Sequence, residues 1–135
     1  MTPPDPPAPD PLDLDRQLCF ALHRASRAVV RSYGPLLEGT GLTYLQYIVL
    51  LVLWEEPDAS PTVGQIGARL HLDSGTLTPL LKRLEALGLV DRVRDRADER
   101  RVLVALTDEG RALRDRLEAV PSTLFSATDL EPDDA

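Results

Sequence analysis

The feature that most constrains this chain is a change of period. Val63, Ile66, Gly67 and Leu70 step by three or four, and so do Leu77, Leu80, Leu81, Leu84 and Leu87. Each set lays its apolar residues along one face of a helix. A three- or four-residue turn around His71–Asp73 joins them. Past Gly88, a helix stop, the period falls to two: Val90–Arg94 and Arg101–Leu106 are β-rich, and Val102, Val104 and Leu106 alternate. The polar string Asp-Arg-Ala-Asp-Glu-Arg at 95–100 makes the tip of a hairpin.

Two helices across a tight turn, then a hairpin, read as a helix-turn-helix with a wing. The flanks are helical too. Leu14, Leu18, Leu22, Ala25, Val29, Tyr33 and Leu36 predict one long first helix, ending near Gly39 or Gly41 and kinked by Pro35. Thr43-x-x-Gln46 is a capping box that opens a second helix, with Leu45, Ile48, Val49, Val52 and Leu53 on its face. Thr62-x-x-Gln65 repeats the device, and Asp73 or Ser74 caps the helix after the turn. Thr107 caps another helix with Asp108 and Glu109 in its first turn, where the dipole favours them, and Pro121 marks a break. The fold class is mainly α with a small β-hairpin. One domain is expected over 12–128, with its DNA-binding core at about 43–107. Residues 1–11 hold six of the twelve prolines and no periodicity, so a disordered tail is expected there.

Several classes drop out. No apolar run reaches 18 residues, so neither a transmembrane helix nor a membrane partner is expected. The first residues lack a basic stretch followed by an apolar one, so no signal peptide is expected. A single cysteine excludes an internal disulfide and a multi-cysteine metal centre, and His23, His71 and Cys19 are too few and scattered for zinc. The reading is a cytoplasmic protein without cofactor or metal.

A net charge of −7 argues against nucleic acid only if it is spread evenly. Residues 1–15 carry −4 and residues 118–135 carry −5, leaving +2 between them with all 15 basic residues. Fourteen of those are Arg, the side chain suited to phosphate and guanine. The helix after the turn offers Ser74, Gly75, Thr76, Thr78, Pro79, Lys82 and Arg83. Small hydroxyls at a helix N-terminus reach base edges and phosphates. Taken alone it reads equally as an amphipathic helix with a solvated basic edge. Arg92, Arg94, Arg96, Arg100 and Arg101 on or beside the hairpin, interleaved with Asp95, Asp98 and Glu99, tilt the reading toward DNA.

The string Leu72-Asp73-Ser74-Gly75-Thr76-Leu77-Thr78-Pro79-Leu80-Leu81-Lys82-Arg83-Leu84-Glu85, with Gly88-Leu89-Val90, Asp98-Glu99-Arg100 and Leu106-Thr107-x-x-Gly110, closely resembles the MarR family of winged-helix repressors. Leu18-Cys19-Phe20-Ala21-Leu22, Tyr33-x-Pro35-Leu36-Leu37 and Leu42-Thr43-Tyr44-x-Gln46-Tyr47 resemble its organic-hydroperoxide-sensing branch, OhrR, of the one-cysteine type. The resemblance implies a homodimer on a pseudo-palindromic double-stranded operator, built through N- and C-terminal dimerisation helices. It implies Cys19 as the sensing thiol, an organic hydroperoxide as oxidant and a small thiol as partner in a mixed disulfide. Tyr33 and Tyr44 match tyrosines that hydrogen-bond that thiol across the dimer. Asp73 belongs to the matched helix start, and Asp98 with Arg100 match the wing pair. Where family members continue through a last helix, this chain runs into acidic residues 129–135, so a truncated last helix is expected.

Cys19 taken alone also reads as a small core residue. As a thiolate it would profit from a helix start and from phenol donors. His23 stands one turn on, where relatives carry a tyrosine; it reads as a packing or tuning residue, ahead of a Cys–His dyad. Three other functions fit less well: a repressor released by a small phenolic ligand with Cys19 structural, a thiol peroxidase using Cys19, and a protein-binding winged helix. The wing arginines speak against the peroxidase, and the Ser74–Pro79 string against the last.

Overall fold

The computed structural model describes residues 1–128. Its contacts divide the chain into two units, Met1–Ser32 and the residues from Tyr33 onward.

In the N-terminal unit, residues 1–10 have no regular secondary structure. A single 3-10 turn follows at Leu14–Arg16, where the Asp13 carboxylate accepts the Asp15 N–H at 3.3 Å. Gln17 is extended, with φ −83° and ψ 117°, and its Nε2 donates to the Pro11 and Asp13 carbonyls at 2.8 and 3.0 Å. This interruption moves the start of the first helix from the expected Leu14 to Leu18. Helix α1 spans Leu18–Leu36, with Pro35 in its last turn. Gly39 and Gly41 follow at φ 84° and 77°, the left-handed backbone that ends helices. No residue of α1 is buried, and Leu18, Leu22, Val29 and Val30 are exposed.

The second unit carries the core. Helix α2, Tyr44–Glu55, opens on its expected box, in which Thr43 N donates to Gln46 Oε1 at 2.9 Å. Its buried face differs from the expected one. Gln46, Tyr47, Val49, Leu50, Leu53 and Trp54 are buried, whereas Leu45 is exposed and Ile48 and Val52 are half-buried. Nearly every position of α2 is apolar, so periodicity held little information about its phase.

Helices α3, Val63–Leu70, and α4, Ser74–Ala86, form the helix-turn-helix. His71 turns the chain in the left-handed region at φ 57°, and Leu72 N–H bonds the Gly67 carbonyl at 2.9 Å. A Cβ on Gly67 would stand 2.6 Å from the Leu72 carbonyl oxygen, so this turn closes only over glycine. Leu77, Leu81 and Leu84 of α4 are fully buried. Burial of one such side chain contributes about 1.5–3 kcal/mol. Gly88, at φ 77°, ends the segment as expected.

Strands β1, Val90–Arg94, and β2, Val102–Leu106, pair antiparallel with Arg92 opposite Val104. Strand β2 begins one residue later than expected, because Arg101 N–H turns back to the Asp98 carbonyl at 3.0 Å. On its far edge, Val104 N–H bonds the Pro61 carbonyl at 2.8 Å, stitching the hairpin to the entrance of α3. Helix α5, Asp108–Leu117, is capped by Thr107, whose hydroxyl accepts the Gly110 N–H at 3.0 Å and donates to the Gly88 carbonyl at 2.6 Å. Trp54 Nε1 donates to the Gly110 carbonyl at 2.9 Å, a buried bond from α2 to α5. Helix α6, Val120–Thr128, follows a two-residue break. Pro121 sits in its first turn, where a missing N–H costs little. The acidic residues 129–135 lie outside the described residues. No helix among the described residues is long and apolar enough to cross a membrane.

Replacing Thr107 by Ala removes a cap and a bond to the α4–β1 turn. Urea unfolding is expected to show a loss of about 1–2 kcal/mol. Thr107→Ser should recover most of it, and an unchanged midpoint for Thr107→Ala would show both bonds to be idle.

Candidate DNA-binding surface and thiol site

The start of α4 is built by Asp73. Its carboxylate accepts Thr76 N–H at 2.7 Å, and that bond, with help from Gly75 N–H, holds the acid below the ordinary carboxylate range. Asp73 is therefore occupied within the helix start, and acts on any ligand through the first turn it fixes. Ser74, Gly75 and Thr76 of that turn are exposed, as are Pro79, Lys82 and Arg83; Thr78 is half-buried. A Cβ on Gly75 would meet only the Asp73 carboxylate, at 3.5 Å, so the protein itself does not demand glycine there.

The wing presents one arginine in a fixed pose. Asp98 Oδ1 accepts both the backbone N–H and Nε of Arg100 at 3.1 Å, and Oδ2 accepts Nη2 at 3.4 Å. The Arg100 side chain is nevertheless 91% exposed. The carboxylate thus orients the guanidinium without covering it, as a charged groove contact requires. These bonds to Arg100 hold Asp98 below the usual carboxylate range.

Arg94, expected as a DNA contact, is exposed and also holds the hairpin. Its Nη1 donates to the Glu99 carbonyl at 2.8 Å, tying one side of the wing tip to the other. Arg101 lies 3.7 Å from Asp95. Sequence reasoning missed Glu85 of α4, which accepts both the backbone N–H and Nη2 of Arg92 at 3.2 Å. The signal was available: an acid in the last turn of a helix opposes the dipole and calls for a cationic partner.

Cys19 is the second residue of α1 and is exposed. His23, one turn on, is exposed as well. Both belong to the N-terminal unit. Tyr33 and Tyr44 belong to the other unit, where their rings stand 4.8 Å apart. Tyr47, which sequence reasoning left out of the site, joins them at 5.5 Å from Tyr33. Burial, then the neighbouring tyrosines, pushes the phenols of Tyr33 and Tyr47 above their ordinary value. They stay protonated at neutral pH and remain hydrogen-bond donors.

Known proteins share this sequence and fold. The family profile described as transcriptional regulator SarA/Rot matches residues 31–117. The chain belongs to this family of MarR-like winged-helix transcriptional regulators. It is 55% identical over 125 residues to the HTH-type transcriptional regulator TtmR of Methylorubrum extorquens, covering 93% of this chain and 63% of that protein. It therefore spans less than two-thirds of that relative's length. It is 46% identical over 116 residues to the organic hydroperoxide resistance transcriptional regulator of Bacillus subtilis, covering 86% of this chain and 78% of the other. The solved structure of reduced AbfR bound to DNA, a protein of Staphylococcus epidermidis, superposes with a TM-score of 0.75 at 43% identity. That match covers 82% of this chain and 78% of AbfR. The MarR resemblance read from the Asp73–Pro79 string and the wing thus holds across sequence and fold.

The Asp98–Arg100 clamp of this MarR-type wing has a defined pH dependence. A carboxylate with a lowered folded value stabilises above its unfolded value and loses that contribution only as pH falls through the folded one. The window lies below the ordinary Asp range, so the Arg100 Nε–H resonance should not titrate between about pH 5 and 8. Asp98→Asn should shift that resonance at every pH. A midpoint for the parent inside that interval would contradict the clamp.

Proposed function

We propose that this chain is a DNA-binding transcriptional repressor that senses organic hydroperoxides through Cys19 and then releases its operator. The observation that carries the DNA half is the exposed Arg100, oriented by Asp98, together with the open first turn of α4. Ser74, Gly75, Thr76, Thr78 and Pro79 then face base edges and backbone. Lys82 and Arg83 take phosphates, and Arg100 enters the adjacent minor groove. Asp73 and Arg94 serve by shaping the helix start and the wing tip. The operator is a pseudo-palindromic duplex bound by a homodimer, as two-fold symmetry of a helix-turn-helix pair requires.

Support for the redox half comes from the exposed thiol at the start of α1 and from the likeness to the Bacillus subtilis hydroperoxide regulator. The Cys19 thiolate attacks the outer oxygen of the hydroperoxide and the O–O bond breaks. The alkoxide takes a proton and leaves as the alcohol, and the sulfur becomes a sulfenic acid. A small thiol condenses with it, losing water and leaving a mixed disulfide. We assign Tyr33 and Tyr44 as hydroxyl donors supplied by a second copy, and His23 as a tuning residue. The protein acts by binding in the cytoplasm, not by turnover.

Release by a phenolic ligand remains the second reading. The cavity lined by Tyr47, Leu51, Trp54, Arg114, Leu117 and Pro121 measures about 270 Å³. That is just under the usual range for ligand sites, roughly 300–1,000 Å³. Clefts of about 380 and 410 Å³ elsewhere on the chain lie within that range, so volume does not separate the two readings; the likeness to the Bacillus subtilis hydroperoxide regulator favours the thiol switch.

Mobility shifts on the DNA upstream of the protein's own gene test both halves. Cys19→Ser should bind as the parent does and no longer release on addition of cumene hydroperoxide; release at the parental rate would refute the sensor. Arg100→Ala should weaken binding by about 1–3 kcal/mol without affecting the fold. Because all 15 basic residues lie in 16–117 and the net negative charge falls at the two ends, affinity should fall steeply with salt. Each phosphate neutralised adds about 0.9 to the log–log slope, and a flat response would sink the DNA-binding reading.

A further inference from the structure

Beyond the shared core, one polar side chain of α4 bonds to the wing, and its placement follows from the ladder. Arg92 faces Val104 in the register, and Val104 N–H leaves the ladder for Pro61. Residues opposite each other in an antiparallel pair either exchange hydrogen bonds or both point outward. Arg92 N–H thus points to the open edge of β1, where an unpaired donor needs a partner. Glu85 supplies it, reaching from the last turn of α4 to accept this N–H through Oε2 and the guanidinium through Oε1, each at 3.2 Å. The Arg92 side chain is only 23% exposed, and its Nε is buried with no partner among the described residues. Glu85 is therefore the carboxylate that answers this half-buried charge. Arg92 draws the Glu85 acid below its ordinary range in return.

Beyond Arg92, separate polar bonds hold the wing tip. Arg94, two residues on and on the same face of β1, holds the Glu99 carbonyl. Asp98 next to it holds Arg100. We propose that Glu85 is a positioning residue for the DNA contact, locking the wing to α4 so that Arg100 and the first turn of α4 meet one duplex together. This inference rests on the DNA-binding reading and assigns it a residue that touches no nucleotide. Without the lock, the hairpin pivots on the Val104–Pro61 stitch, and Arg100 must be ordered anew at each binding event.

The test is a double-mutant cycle on the full chain, read by fluorescence anisotropy. The probe is a labelled duplex carrying the DNA immediately upstream of the protein's own gene. Glu85→Gln keeps the shape and an N–H acceptor but removes the charge. It should weaken binding about fivefold, while Arg100→Ala should cost markedly less in the Glu85→Gln background than in the parent. A purely structural Glu85 would lower the urea midpoint and leave the two substitutions additive in affinity. Additivity in a parent that binds overturns the positioning role alone; a parent that binds no duplex overturns the DNA-binding reading and this role with it. Should Glu85→Gln lose its native circular dichroism, Arg92→Lys enters the same cycle, since it keeps the charge and the backbone bond and removes only the guanidinium fork.

Discussion

Gly110 and the Leu89 carbonyl approach so closely that no side chain fits between them. A Cβ at Gly110 would run into that oxygen, with Leu106 Cδ2 at 3.1 Å. At this point the start of α5 lies against the turn between α4 and β1. Thr107 bonds across the same gap to Gly88, and Trp54 brings α2 onto the Gly110 carbonyl. Thr107 N–H closes the set on the Leu89 carbonyl at 3.1 Å. The angle at which the hairpin leaves the core therefore depends on a contact between two backbones, not on a packed pair of large side chains. Its tolerance for substitution is correspondingly small.

Around that contact, the polar groups divide into those that make shape and those left open. Asp73, Glu85, Arg92, Arg94 and Asp98 are spent on bonds within the chain. Ser74, Thr76, Lys82 and Arg83 are exposed, and Arg100 is oriented but uncovered. A surface of this kind presents few cations, each already placed. The alternative, a mobile basic patch, would bind phosphate with as much charge and less orientation. Confining all 15 basic residues to 16–117, so that the net negative charge falls at the two ends, lets an overall negative chain carry such a surface.

Much of this was legible in the sequence, and the reasons differ by element. The capping residues Thr43, Thr62, Asp73 and Thr107 are local devices, so each helix start could be read from its own four residues. The hairpin followed from a strict alternation. What failed was longer in range. The buried face of α2 was misjudged because its apolar residues run nearly all round. The start of α1 was placed too early because Gln17, with a helix-compatible side chain, turns its amide back to Pro11 and Asp13. In the candidate site, Arg94 and Arg100 look alike in sequence and both are exposed; only the fold shows one tied to the Glu99 carbonyl across the wing tip and the other to Asp98 two residues away. Glu85 and Tyr47 were missed because their partners lie on other elements, Arg92 on β1 and Tyr33 on α1.

Lys82 has a consequence of a different kind. It is exposed on α4, amid the residues assigned to DNA, and it is the one lysine in the whole sequence. The chain thus carries a single side-chain amine. Any acylating or amine-labelling chemistry that spares the N-terminus is confined to the recognition helix. A fluorophore attached there reports on that helix alone. Acetylation would remove its charge from the face assigned to phosphate, leaving all fourteen arginines as they were.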